Sequence, residues 1–440
     1  MADDQTKGLL ERLRGRSVEV STSTFGRLRR TAGIALKTGV RALRSDSDAE
    51  DLFAKLDPAA IESIVTSLGE LKGLAMKMGQ ILSYVDDSLP AESKALLGSL
   101  QRWSFTTPFA AVEATIREDL AGPQAEALLA TLAREPVASA SVGQVHRARV
   151  EGRDVAVKVR HPGIDEAMKA DFRAALPGAL IGRMIVPGAD IREMMAEAKE
   201  GFLSECDYER EARSGRRFAE IFADDPRIVI PEVFAAYSGR RVLTTAWCEG
   251  QALDDYLAGD PPQAERDAIG RALYTFYVGS LYRYGLFNAD PHPGNLLFTG
   301  DGRVVVLDHG CVRSFDAATV AGLGGLSRAV QVDDRAGIVA ALVALGVKPP
   351  KNDAAYEATR GMLRGFYEPL LRDGPSRIEA RTRFVMGEAF EAKKRLMRMK
   401  IPGKLLFLFR IRFGLYAVLS TLGAELDWRA LEAELLATRA

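Results

Sequence analysis

Cysteine is scarce in this chain. Its three residues, Cys206, Cys248 and Cys311, are odd in number, scattered and without a C-x-x-C spacing. That argues against a disulfide framework and a zinc site, and it points to a reducing compartment. Net charge is lacking too: 59 Lys and Arg balance 59 Asp and Glu, so the whole protein is no polycation and no nucleic-acid partner is expected. No apolar h-region follows the early charges, which speaks against a signal peptide. No hydrophobic run is long enough to span a bilayer. The most apolar stretch, 405–424, is interrupted by Arg410 and Arg412, which leaves twelve uncharged residues, too few for a crossing. Internal repeats and low-complexity segments are missing as well.

What is present fits a globular protein: 440 residues, 47% hydrophobic and 27% charged, enough to bury a large core divided among two or three units. Residues 1–44 carry ten Lys and Arg against four acids, a local excess that favours an anionic neighbour. Within them, 25–44 sets Leu28, Leu36, Val40 and Leu43 among basic residues, a pattern open to an interfacial helix or an ordinary solvated one. The expectation is a cytoplasmic protein with peripheral contact at the inner face of the cell membrane, through 25–44 or 405–424.

Residues 60–83 read as a long helix, with Ile61, Ile64, Val65, Leu68, Leu71, Ala75, Met78 and Leu82 on one face. Lys77 and Gln80 fall on the other side, beside Gly69 and Gly73. Next come two period-2 runs separated by Glu151-Gly152-Arg153. In the second, Val155, Val157 and Val159 face one way while Ala156 and Lys158 face the other, toward a cleft. Upstream, Ala138-x-Ala140-x-x-Gly143-x-Val145 has the spacing of a kinase phosphate loop with alanine at the first two glycine positions. A Cβ there restricts close approach to phosphate. Residues 190–223 read as one charge-rich helix. Glu205 and Glu211 would lie about 120° apart on it, so one of them could meet Lys158 while the other serves a second partner. A strand ending at 244–250, with Ala246 and Cys248, suits a hinge between lobes. The segment 316–440 reads as all helix.

The stretch 287–298, FNADPHPGNLLF, places Asp290 five residues before Asn295, and Asp308 follows the apolar run VVVL. Phosphoryl transfer needs charge neutralisation and in-line placement more than covalent participation. In that chemistry a lysine holds phosphates, an asparagine and an aspartate hold magnesium, and a second aspartate orients the nucleophile. Asp290 and Asn295 have the D-x-x-x-x-N spacing of a kinase catalytic loop, and Asp308-His309-Gly310 stands where D-F-G would. The cofactors expected are ATP or ADP and Mg2+.

On these residues the chain resembles the UbiB-type atypical kinases, also called the AarF or ADCK family, over roughly 50–330. Lys77-Met78-Gly79-Gln80 matches the K-x-G-Q signature. Ala138-Ser139-Ala140-Ser141 matches the alanine-rich loop, continued by Val142, Gly143 and Val145, and Glu205-Cys206-Asp207 matches the E-x-D motif. The resemblance implies an α+β, atypical bilobal protein-kinase-like fold. Its parts would be a basic segment (1–48), a helical extension carrying K-x-G-Q (49–135), an N-lobe (136–246) and a helical C-lobe (247–440). It implies that Lys158 pairs with Glu211 while Glu205 faces Lys77, with Lys77, Gln80, Glu205 and Asp207 regulatory. It also implies a Mg-dependent ATPase or unorthodox kinase supporting ubiquinone or related isoprenoid-lipid biosynthesis, with prenyl-lipid biosynthesis proteins as partners. The departures are His309 for phenylalanine, Asn288 at the catalytic-loop histidine position and Ala246 for an acid. Two alternatives are a nucleotide-gated lipid chaperone or scaffold without turnover, and a phosphotransferase for aminoglycoside-like or choline-like alcohols. Restoring glycine in the loop tests its reading: Ala140→Gly should shift preference from ADP toward ATP in competition binding, and an unchanged ratio contradicts this account of the alanines.

Overall fold

The structure, a computed structural model, describes residues 107–139, 142–166, 169, 202–379 and 403–437. The 25–44 segment, the 60–83 helix with Lys77 and Gln80, and Ala140 and Ser141 lie outside the described residues. The architecture is α+β.

Helices α1 (Phe109–Asp119) and α2 (Gly122–Leu129) precede an antiparallel sheet of β1 (Ala138–Ser139), β2 (Gly143–Val150), β3 (Arg153–Arg160) and β5 (Val242–Ala246), in the order β1-β2-β3-β5. The β2–β3 turn is made by Glu151 (φ 52°) and Gly152 (φ 76°), positive at both central positions as a tight hairpin turn requires. Arg153, grouped with the turn from the sequence, is already the first strand residue. The alternation expected along β3 is observed. Val155, Val157 and Val159 are buried against Val112 and Ile116 of α1 and Leu128 of α2, while Ala156 and Lys158 are half-buried on the opposite face. This sheet face and both helices share one core.

The expectation of a single helix over 190–223 is corrected. A helical turn at 202–205 ends, and α3 (Tyr208–Ile221) starts afresh with Asp207 as N-cap, its carboxylate accepting from the Arg210 amide at 3.1 Å. A short acid that stabilises the free amides of a helix start, followed by Glu209 and Glu211 in the first turn, is a start signal the sequence already carried. Glu205 therefore lies before the cap, and its phase relative to Glu211 is not that of a regular helix.

After β5, α4 (Leu253–Ala258) leads to α5 (Gln263–Tyr274), which runs through a π-helical turn, Thr275–Gly279, into α6 (Ser280–Tyr284). Short strands follow. β6 (Leu286–Asn288) pairs with β9 (Val312–Ser314), and β7 (Leu296–Phe298) forms a hairpin with β8 (Val304–Val306), which pairs in parallel with β4 (Ile228–Val229). These two ladders fix the ends of the loops at 289–295 and 307–311. Helices α7 (Ala317–Gln331), α8 (Arg335–Ala344), α9 (Asp353–Phe366), α10 (Gly403–Leu422) and α11 (Trp428–Ala437) complete the larger core. The all-helical expectation for 316–440 needs one correction: β10 (Ser376–Arg377) and β11 (Glu425–Leu426) pair antiparallel, and the Trp428 indole donates to the Ser376 carbonyl at 2.8 Å.

No described helix is long and apolar enough to cross a membrane. Arg412, which breaks the apolar run in sequence, is buried inside the protein. It pairs with Glu432 of α11, donates to Tyr274 Oη at 2.9 Å and Tyr416 Oη at 2.7 Å, and sits over the Tyr367 ring at 4.6 Å. Glu432, fully buried, also accepts from Tyr282 at 3.0 Å and from Ser327. The second half of α10, with Leu415, Val418, Leu419 and Leu422 buried, is thus core rather than membrane surface. A buried cation left without its partner is strongly unfavourable, so Glu432→Gln should lose about 3–5 kcal/mol of unfolding free energy. Denaturant melts checks this; a loss under about 1 kcal/mol would mean the ion pair is dispensable.

Candidate active site

Lys158 leaves β3 on the face opposite the buried valines, and its ammonium meets two carboxylates from different parts of the chain. Nζ lies 3.0 Å from both Glu211 oxygens on α3 and 2.9 Å from Asp308 Oδ2, two residues beyond β8. Glu211 is almost wholly buried, whereas Lys158 and Asp308 keep 15% and 27% of their side chains exposed. The Tyr208 ring lies under Nζ at 5.1 Å, a favourable seat for a cation.

One ammonium cannot neutralise two buried carboxylates, and the electrostatics divide accordingly. Burial alone would raise the Asp308 pKa, but the Lys158 charge and the Gly310 amide, which donates to Oδ1 at 2.9 Å, hold it down at about 2. Burial and the neighbouring Asp308 charge push Glu211 up to about 7 against the pull of Lys158. Lys158 itself stays firmly protonated, its burial outweighed by Asp308 and Glu211. Of the two carboxyl groups, Glu211 is the one whose neutral form burial favours.

The loop between β6 and β7 carries the remaining groups. Asn288, noted from the sequence only as a departure, is buried and ties the two loops together. Its Nδ2 donates to the Asp308 carbonyl at 2.8 Å, and its Oδ1 accepts from the Asp290 amide at 3.1 Å. Asn295 Nδ2 donates to Asp290 Oδ2 at 3.0 Å, and the Leu307 amide donates to the Asn295 carbonyl at 2.9 Å. Asp290, Asn295 and Asp308, eighteen residues apart end to end in sequence, are thereby held on adjoining backbone segments.

His309 occupies an aromatic slot. Its ring stacks on Phe218 at 5.5 Å, meets Phe276 edge-on at 6.3 Å, and packs closely beside Gly215, where a β-carbon would approach it to 3.3 Å. Neither ring nitrogen has a hydrogen-bond partner at proper geometry. Burial lowers its pKa to about 4, against an opposing pull from Asp308 and the Val306 carbonyl, so the imidazole is neutral and packs as an apolar ring.

Around the phosphate-loop segment, Ala138 and Ser139 are exposed on β1, Val142 is buried and Val145 sits directly opposite Lys158. Gly143 is glycine because space is absent: a β-carbon would come within 2.4 Å of the Val159 carbonyl oxygen and 2.6 Å of the Tyr208 hydroxyl. Tyr208, fully buried with no partner for that hydroxyl, is a site neighbour that periodicity did not single out; its position directly after Glu205-Cys206-Asp207 was the available signal. At the end of β5, the Ala246 and Trp247 amides donate to the carbonyls of Glu232 and Asp154, and the Cys248 thiol lies 3.8 Å from the Ala246 carbonyl. Glu205 accepts from the Cys311 thiol at 3.0 Å; Asp207 serves as the α3 cap.

Among the described residues no three His, Cys, Asp or Glu side chains converge as a metal cage. The nearby donors are oxygens of Asp308, Asp290 and Asn295, which suit a hard cation whose coordination is completed by phosphate and water.

A lysine on a sheet, its carboxylate partner on a following helix and a loop bearing Asp290 and Asn295 define a protein-kinase-like atypical fold. Residues 99–342 match the ABC1 atypical kinase-like domain, and the chain belongs to that family, which bears out the UbiB/ADCK resemblance. It is 35% identical to Protein ACTIVITY OF BC1 COMPLEX KINASE 3, chloroplastic, of Arabidopsis thaliana over 63% of this chain and 39% of that protein. It is 31% identical to Atypical kinase coq-8, mitochondrial, of Caenorhabditis elegans over 69% of this chain and 39% of that protein. The chain thus spans about two fifths of the length of these curated relatives. Among solved structures, the Rv3197–erythromycin complex from Mycobacterium tuberculosis aligns with a TM-score of 0.60 at 29% identity, covering 88% of this chain and 98% of that one.

The raised Glu211 pKa has a measurable consequence. Between the ordinary glutamate value of 4.5 and about 7, the folded protein binds a proton that the unfolded chain has released, so this group's contribution to stability falls as pH rises through that window. Between about pH 5 and pH 7.5, wild type should lose on the order of 1–3 kcal/mol relative to Glu211→Gln. Paired denaturant melts read the difference, and a pH-independent gap contradicts the assignment.

Proposed function

We propose that this protein is a Mg-dependent, ATP-binding atypical kinase or ATPase that supports ubiquinone or related isoprenoid-lipid biosynthesis at a membrane surface. The observation that carries the catalytic part is the convergence of Lys158, Glu211 and Asp308 within 3.0 Å beside the Asp290–Asn295 loop. The lipid-biosynthetic part rests on the UbiB/AarF/ADCK resemblance and is supported by the atypical kinases among the relatives.

In this reading Lys158 holds the α- and β-phosphates, and Glu211 positions Lys158. Asp308 and Asn295 supply oxygens to Mg2+, and Asp290 orients the acceptor hydroxyl or water. Bound Mg–ATP supplies the phosphoryl group and a cation that neutralises its charge. The chain's own task is to place these groups: the Gly310 amide and Lys158 hold Asp308 ionised and ready for a cation, and Asn288 keeps Asp290 in register with Asp308. The Asn295 bond to Asp290 uses Nδ2 and keeps Oδ1 for a cation.

Two variants separate binding from chemistry. Asp308→Asn should abolish the Mg-dependent thermal stabilisation by ADP or ATP; an undiminished shift would place the metal elsewhere. Asp290→Asn should keep that stabilisation while ATP turnover with cardiolipin-containing liposomes falls about 100-fold or more. Nucleotide binding by wild type without turnover, liposomes included, would favour the scaffold reading. A phosphorylated aminoglycoside or choline product would favour the small-alcohol phosphotransferase.

A further inference from the structure

Helix α10 reaches the loop of Asp290 from behind. A β-carbon on Gly414 would lie 2.9 Å from Cγ and 3.7 Å from Cδ of Pro291, the residue after Asp290, and 3.9 Å from its carbonyl oxygen. Glycine inside a helix is unfavourable in itself, so its place in the buried half of a 20-residue helix reflects what it touches. The ring it touches is rigid and cannot rotate out of the way as a flexible side chain would.

The helix is also fixed against retreat. Two residues before Gly414, Arg412 is clamped by Glu432, Tyr274 and Tyr416, and Glu432 in turn gathers Tyr282 and Ser327. The clamp thereby ties α10 to α5, α6, α7 and α11. On the Asp308 side, Asn288, which also holds the Asp308 carbonyl, and Asn295 bond the backbone amide and the carboxylate of Asp290. Asp290 is therefore held from the front by two carboxamides and from behind by a helix with no side chain at the point of contact.

We propose that α10 is the backstop of this loop, with Gly414 and the Arg412–Glu432 clamp as positioning residues that set the depth of Pro291 and, through it, of Asp290. The proposal deepens the catalytic reading above and rests on it for the role of Asp290, but the mechanical claim has its own readout.

The test compares wild type, Gly414→Ala, Pro291→Ala and the double variant in the full chain. Amide hydrogen exchange over 288–296 reports the loop directly, Mg–ADP binding reports the nucleotide site, and ATP turnover reports Asp290. Gly414→Ala should exchange faster across 288–296, bind Mg–ADP within about two-fold of wild type, and lose about 10- to 100-fold in turnover, the scale of a displacement near 1 Å. Trimming the proline ring in the double variant should restore both protection and turnover relative to Gly414→Ala. Unchanged exchange in Gly414→Ala, or a defect that Pro291→Ala does not relieve, overturns the proposal. If Gly414→Ala does not fold, recovery of fold and loop protection in the double variant supports the backstop, and failure to recover overturns it. If wild type turns over no ATP, the catalytic reading falls while the exchange comparison still decides the mechanical claim.

Discussion

A single ammonium placed between two carboxylates in a largely buried setting is the constraint on which the rest of this structure depends. Burial makes each of these groups costly to ionise on its own, and the attraction among them is favourable only while the geometry holds. That geometry draws on β3, the first turn of α3 and the segment after β8, elements 53 and 150 residues distant from Lys158 in sequence. The sheet must therefore pair in one register, with Lys158 opposite Val145 and Leu243, for the ammonium to emerge beside Glu211 and Asp308. A slip of one residue would send it into the valine core.

The two loops are built as one object. Asn288 reads the backbone of both, the Leu307 amide closes onto Asn295, and the β6–β9 and β7–β8 ladders anchor their ends. His309 then inserts its neutral ring among Phe218 and Phe276, coupling the Asp308 segment to α3 by packing rather than by charge. Because α3 carries Glu211 on the same helix as Phe218, the ion pair and the aromatic slot are held by one rigid element.

Much of this was legible before the structure. Strict alternation of Val155, Val157 and Val159 placed Lys158 on the cleft face, because a half-buried strand has period two. The order of lysine, acid, Asp-x4-Asn and Asp-x-Gly gave the protein-kinase-like fold and the Lys158–Glu211 pair through resemblance. What stayed hidden depended on local competition or tertiary distance. The helix break at Asp207 was overlooked because a charge-rich run shows no strong apolar period, although the cap signal was there. Arg412 read as an interruption of an apolar run; that it is the paired cation of a buried network follows only from Glu432, twenty residues away on another helix. The Asn288 contacts and the Gly414–Pro291 approach are properties of the assembled loops, which no local pattern encodes.

The central claim is that Lys158 faces the phosphates of a bound nucleotide in the cleft it shares with Asp308. An acyl-phosphate derivative of ATP, which transfers its acyl group to a lysine lying beside the phosphates, reads this directly when the labelled peptides are analysed by mass spectrometry. The account predicts acylation of Lys158 that excess Mg–ADP suppresses. Absence of label at Lys158, or label there that Mg–ADP leaves untouched, would contradict it.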